Sequence, residues 1–124
     1  MNSRFGLVLI LLLSTVSCSC TAYQHGYQKA LTEGNEAHLK DSLSMMREGI
    51  KKYTDDTGAP PQSLDELAKA GYITHVPRDM VTNEIDWVIV RYDCSASPNC
   101  KKGVKDVHSA STAISSKGDP YSEW

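Results

Sequence analysis

The residues in this chain that read most readily as chemistry are four cysteines, and they fall into two pairs. Cys18 and Cys20 come directly after the small residues Ser14, Thr15, Val16 and Ser17. A cysteine behind such residues is what a lipoprotein signal peptidase accepts, which would leave Cys18 as a lipidated amino terminus. Cys94 and Cys100 flank Ser95-Ala96-Ser97-Pro98-Asn99. In an oxidising compartment two cysteines so placed favour a disulfide, and closing so small a ring contributes about 2–3 kcal/mol on loop-closure grounds. A metal site would recruit His108, but tetrahedral zinc needs a fourth ligand at plausible spacing and the sequence offers none. The disulfide is the expectation.

Catalytic residue types are thinly spread. His25, His38, His75 and His108 are isolated, without the paired spacing of a metalloprotease helix. No Gly-x-Ser-x-Gly elbow and no phosphate-cradling glycine loop occurs. Asp106, His108 and Ser109 are the residue types of a triad, but neighbours on a strand or turn point in different directions. His108 therefore reads as a structural residue hydrogen-bonded to a loop, and the chain as a non-enzymatic protein.

The first residues explain the compartment that the cysteines require. Met1 to Arg4 supply one positive charge, and Phe5 to Leu13 form an almost unbroken apolar run before the small residues. That is the layout of a secretory signal. The run is too short for a bilayer core of about 30 Å, which needs roughly 20 apolar residues as a helix. Three maturation routes fit: lipoprotein cleavage before Cys18, ordinary secretory cleavage, or prepilin-type cleavage after Gly6. Each exports the chain. Losing residues 1–17 removes one cation, Arg4, from the 13, leaving 12 basic against 15 acidic side chains and a net −3. Mild acidity without clustered Lys and Arg argues against a nucleic-acid partner. Lys51-Lys52 and Lys101-Lys102 read as solvated surface.

The elements that would position these residues form an α+β pattern over 27–124, preceded by an export signal at 1–17 and a polar linker at 18–26. From Tyr27 to about Thr57 there is no proline, and Leu39, Leu43, Met46, Ile50 and Tyr53 step by four and three, predicting a helix with one apolar face. Leu31 and Ala37 extend that stripe, while Glu36, Lys40 and Arg47 fall among the polar positions. Gly58 suits a left-handed cap, and Pro60-Pro61 cannot continue the helix. Ser63 with Glu66 reads as a capping box that opens a short second helix, ending at Gly71. Tyr72-Ile73 and Val76-Pro77 read as an extended crossing segment. Asp86 to Tyr92 is rich in aromatic and β-branched residues and predicts a strand, with a second short strand at Val104–Val107. Ala110 to Asp119 reads as a surface loop.

The order of these elements, and the residues on them, resemble the type II secretion pseudopilins, especially the major pseudopilin, within the type IV pilin-like class. The resemblance runs from about Leu31 to Trp124. It is carried by Leu39-Lys40-Asp41-Ser42-Leu43, Met46-Arg47, Ile50 and Tyr53 on the helix, then by Pro61 to Leu67, Gly71-Tyr72-Ile73 and Val76 to Asp79. Asp86-Trp87, Gly103 to Ser109 and Tyr121 to Trp124 complete it. The chain departs from the family in two places. A signal with cysteines replaces the long apolar stem, and Met80-Val81 stands where many relatives place a proline and an aromatic residue. The resemblance implies a pilin-like head: one long helix on a small antiparallel sheet, a short second helix and a C-terminal loop. It implies an envelope protein on the periplasmic side that works by contact with other secretion-system or pseudopilin proteins, anchored through Cys18, without a small-molecule substrate. A free-standing lipoprotein using the same head as a binding module is the alternative. Major-type members bind calcium in the C-terminal loop, and Asp93, Asp106 and Asp119 are the candidate ligands that this implies. No full calcium loop of alternating acids is present.

Overall fold

The computed structural model describes residues 3–124, with side chains from Thr21 onward. The side chains of residues 1–20, and with them Cys18, Cys20 and the 1–17 signal reading, lie outside the described residues. The elements are helix α1 (Ser3–Thr57), helix α2 (Leu64–Lys69), strand β1 (Val88–Arg91), strand β2 (Val104–His108) and a terminal 3-10 turn at Tyr121–Glu123. Helix α1 thus starts at Ser3, not at Tyr27, and the 18–26 segment is helical. No proline precedes Pro60, so nothing in that stretch removes a helix hydrogen bond. Among the described residues no helix is long and apolar enough to cross a membrane.

The chain divides into two units, Met1–Gly34 and Asn35–Trp124. The described side chains of the first unit are exposed, Tyr23, Tyr27 and Leu31 included. They are linked along the helix by an exposed Lys29–Glu33 ion pair at 3.9 Å and by Thr32 Oγ1 donating to the Gln28 carbonyl. Leu31 and Ala37 therefore do not continue the buried stripe.

The second unit holds the core. Leu39, Leu43, Met46 and Ile50 are buried at the expected helical spacing, with Tyr53 packed at their edge. Against them lie Leu64 and Leu67 of α2, Ile73, Trp87, Val104, Val107 and Tyr121. The helix stops as the sequence predicts: Gly58 adopts φ +71° and donates to the Thr54 carbonyl at 2.9 Å, followed by two buried prolines. Ser63 Oγ accepts from the Glu66 N–H at 3.2 Å, the first half of the capping box. The Glu66 carboxylate accepts from the Gln62 N–H and from the Tyr53 hydroxyl at 2.7 Å. A helix of six residues is marginal alone; Tyr53 supplies its tie to α1, and a Tyr53–Tyr72 edge-on ring pair at 5.2 Å packs beside it. Gly49 makes the approach possible, since a Cβ there would lie 2.7 Å from Ile73 Cγ2.

The sheet is a two-stranded antiparallel ribbon pairing Val88 with His108, Ile89 with Val107, Val90 with Asp106 and Arg91 with Val104. Lys105 is the extra residue of a β-bulge. Val104 and Val107, three apart, would face opposite sides of a regular strand; the bulge lets both be fully buried. Trp87 Nε1 donates to the Pro77 carbonyl at 2.8 Å, fixing the crossing segment under the sheet. The Cys94–Cys100 disulfide forms, with the Cα atoms 5.2 Å apart, and closes the loop between the strands.

Candidate functional site

Three side chains of α1 fasten the C-terminal segment onto the helix. Glu36, Lys40 and Arg47 stand four and seven residues apart, so they share one face through three turns. Glu36 is 5% exposed and continues the Leu39–Leu43–Met46–Ile50 stripe one step toward the N-terminus. Its Oε1 accepts from the Ser116 N–H at 2.6 Å and from the Tyr121 hydroxyl at 2.8 Å, and its Oε2 accepts from Ser116 Oγ at 2.6 Å. Burial pushes this carboxyl up, but the Ser116 and Tyr121 hydrogen bonds and the charge of Lys40 outweigh it, so its pKa lies below the ordinary value. The Tyr121 hydroxyl is pushed up to about 12, by burial first and then by the Glu36 carboxylate.

Arg47 reaches further along the same segment. Its Nε donates to Asp106 Oδ1 at 2.7 Å, and its Nη2 donates to the main-chain oxygens of Val107 at 2.8 Å and Trp124 at 2.9 Å. His108 Nδ1 donates to the same Trp124 oxygen at 2.6 Å, which fixes its tautomer at that nitrogen because a main-chain oxygen can only accept. His108 Nε2 lies 3.4 Å from Asp106 Oδ2. Desolvation raises the Asp106 carboxyl, and the Val107 N–H, Arg47 and His108 together hold it below its usual range. The Trp124 indole packs edge-on to Tyr121 at 5.1 Å, donates to Asp119 Oδ2 at 2.7 Å, and lies beneath Lys40 Nζ at 4.3 Å. That last contact has cation–π geometry.

Beside this clamp runs a groove of about 700 Å³ floored by Leu43 and Trp124, with Lys40, Arg47, Lys51 and Lys117 among the residues around it. A second hollow of about 220 Å³, next to Ile50, Tyr92 and Lys105, shares Arg47 and Lys51 with it.

The residues singled out in the sequence are distributed rather than gathered. Asp93 caps the disulfide loop by accepting from the Ser95 N–H at 3.0 Å. Asp106 pairs with Arg47, and Asp119 accepts from Ser115 Oγ at 2.7 Å and from Trp124. Among the described residues no group of three or more His, Cys, Asp or Glu side chains is placed to hold a metal ion. Asp93, Asp106 and Asp119 are therefore not brought together into one such group. Ser109 is fully buried and donates to Asp79 Oδ2 at 2.5 Å, while His108 turns to Trp124. Ser109 thus points away from the other two, whereas Asp106 and His108, two apart on the strand, share a face and lie 3.4 Å from each other, so the expectation that all three diverge holds for Ser109 alone.

Sequence reading missed Glu36, Arg47 and Trp124 as a group. The signal for Glu36 was its position: an acid in register with a buried stripe needs hydroxyl or amide donors, and Ser116 and Tyr121 supply them. Arg47 and Trp124 are 77 residues apart, and no local pattern links them. Against protein-family models, curated proteins and solved structures, the chain shows no match.

Proposed function

We propose that this chain is a non-enzymatic, pseudopilin-like component of the bacterial cell envelope, serving type II protein secretion or a related type IV pilus-like machine through protein–protein contacts. The observation that carries the reading is the identity of the core. The buried residues Leu39, Leu43, Met46, Ile50, Leu64, Leu67, Ile73, Trp87, Val104, Val107 and Tyr121 all lie in the segments on which the resemblance rests. A likeness confined to surface residues would say little about shared architecture; one that follows the core supports a shared head. The clamp built by Glu36 and Arg47 adds to this, because a C-terminal segment held to the helix presents a defined contact surface. Cys18 tethers the head on the periplasmic side, and the partners are other secretion-system or pseudopilin proteins.

The second reading, a free-standing periplasmic lipoprotein with the head as a binding module, is favoured by the cysteine-bearing signal that stands in place of an apolar stem. Growth with labelled palmitate, followed by mass spectrometry of the mature amino terminus, together with cross-linking in cells, separates the two. Cross-links to secretion-machine subunits support the secretion component whichever terminus is found. Lipid on Cys18 without any such cross-link overturns it in favour of the free-standing lipoprotein.

A further inference from the structure

Helix α1 leaves its first described side chains in solvent, and their spacing is regular. Tyr23, Tyr27, Ala30 and Gly34 are all exposed, Tyr23 at 78% and Tyr27 at 56%. They step by four, three and four, the period of about 3.5 residues that keeps one seam of a helix against a second helix. Leu31, also exposed, lies beside this seam, and Gly26 and Gly34 leave open space where a side chain would stand. A helix of this kind is poorly supported by itself. Each glycine weakens a solvated helix relative to alanine, and helices in proteins draw most of their stability from packing an apolar face. No described side chain in 21–34 is buried. Against a second helix the same residues become favourable, because small residues let two helices approach closely and large rings beside them supply contact area.

The cysteines select what packs there. Cys94 and Cys100 are bonded to each other. A lipid on Cys18 occupies that sulfur, which leaves Cys20 as the odd cysteine of the exported chain. An odd cysteine in an oxidising compartment points to pairing between molecules. Position 20 lies on α1, three residues before Tyr23, and so takes the next place in the same spacing. In a parallel pair of identical helices, equal seam positions face each other at one level, and each Cys20 meets a second Cys20. A different protein would have to bring its own cysteine to that height. An antiparallel copy would set the two cysteines at opposite ends of the seam, about 21 Å apart at 1.5 Å per residue. Two chains anchored through Cys18 in one membrane surface are held parallel.

We propose that helix α1 pairs in parallel with α1 of a second copy of this chain along Cys20, Tyr23, Tyr27, Ala30 and Gly34, and that a Cys20–Cys20 disulfide locks the pair. The two thiols give up two protons and two electrons to a disulfide donor, which leaves as a dithiol, and one S–S bond forms between the chains. That bond makes contact between two short seams intramolecular and so raises their effective concentration. The pairing rests on the Cys18 reading given above, which fixes both the odd cysteine and the parallel sense, but it does not depend on the secretion machine.

The test treats cells of the native bacterium with N-ethylmaleimide before lysis and separates their envelope proteins on gels with and without reductant. A band at twice the monomer mass that collapses on reduction is expected, and Cys20→Ser should abolish it. Position is the decisive readout, since any exposed thiol can oxidise. In the Cys20→Ser background, Ala30→Cys should restore the doubled band, whereas Thr32→Cys, on the opposite side of the helix, should yield about tenfold less of it. With Cys20 retained, Tyr27→Lys should lower the doubled band about tenfold, and Thr32→Lys should leave it unchanged. Tyr27, Ala30 and Thr32 are exposed, so the core is not at stake. A parent chain found only as monomer, equal yields from Ala30→Cys and Thr32→Cys, or a reducible band that contains a different protein overturns the proposal. So does a mature terminus that lacks Cys20, a result that leaves the secretion role standing. If the doubled band behaves as described but deleting the gene leaves secretion intact, only the secretion role fails.

Discussion

Replacing Glu36 tests the clamp most sharply, because two substitutions at this one position have separable consequences. Glu36→Ala strips the acceptor from the Ser116 N–H, Ser116 Oγ and the Tyr121 hydroxyl. Hydrogen bonds to a charged group contribute about 1.5–3 kcal/mol each. The three share one carboxylate, so their contributions do not add, and removing the group also removes its desolvation cost. A net loss of about 3 kcal/mol follows, within the range seen when one partner of a buried charged cluster is deleted. Glu36→Gln behaves differently. Its amide oxygen can take the place of Oε1 and keep both the Ser116 N–H and the Tyr121 hydroxyl. Its amide nitrogen takes the place of Oε2 and donates to Ser116 Oγ, which can rotate to accept. Only the charge assistance is lost, about 1 kcal/mol. Urea unfolding of the parent and both variants, followed by near-ultraviolet signals of Trp87 and Trp124, measures the two losses. Glu36→Ala within about 0.5 kcal/mol of the parent, or Glu36→Gln as costly as Glu36→Ala, would refute the clamp.

Leu43→Ala and Ile50→Ala should each cost about 2–5 kcal/mol in the same unfolding assay, since both side chains are buried and their removal leaves cavities; losses under about 0.5 kcal/mol would mean that the stripe is not core. Protein purified without reductant should resist alkylation at Cys94 and Cys100, and reduction should lower stability by about 2 kcal/mol through the freed loop; full alkylation without reductant contradicts this. Glu36, Asp106 and Asp119 all have carboxyls held below their ordinary values of 4.5, 3.8 and 3.8. Their contribution is therefore fully present above about pH 4.5 and is lost as the pH falls through the lower folded values. Tyr121 works in the opposite direction: its stabilisation is present below its ordinary 10.0 and is lost as the pH rises toward about 12. Urea midpoints across pH should fall at both extremes, with the acid limb shallower in Glu36→Gln; an unchanged acid limb in that variant contradicts the assignment.

Much of the head was legible because its signals are local. The step of four and three from Leu39 to Tyr53, the Gly58 stop and the Ser63 cap each depend on neighbours within a turn or two, and each takes the expected form. The second strand was legible too, but not how it faces the core: Val104 and Val107 both point inward only because Lys105 bulges out, and a bulge leaves no mark in binary patterning. The polar composition of 18–26 reads as a linker, yet helix α1 runs through it, because nothing there forbids a helix. By chemical type Glu36 belongs with the solvent-facing residues, but its register with Leu39 and Leu43 places it in the core. The long-range bonds of Arg47 to Val107 and Trp124 depend on where the chain returns, which helical periodicity does not encode.

The most direct test of the envelope role is a comparison of the proteins released to the medium by the native bacterium, by a strain lacking this gene, and by that strain carrying the gene restored. If the chain serves a secretion machine, a defined set of proteins should disappear from the medium in the deletion strain and accumulate in its periplasm. They should return with the intact gene and fail to return with a Glu36→Ala, Arg47→Ala double variant in which the C-terminal segment is no longer clamped. An unchanged set of released proteins in the deletion strain would contradict the role.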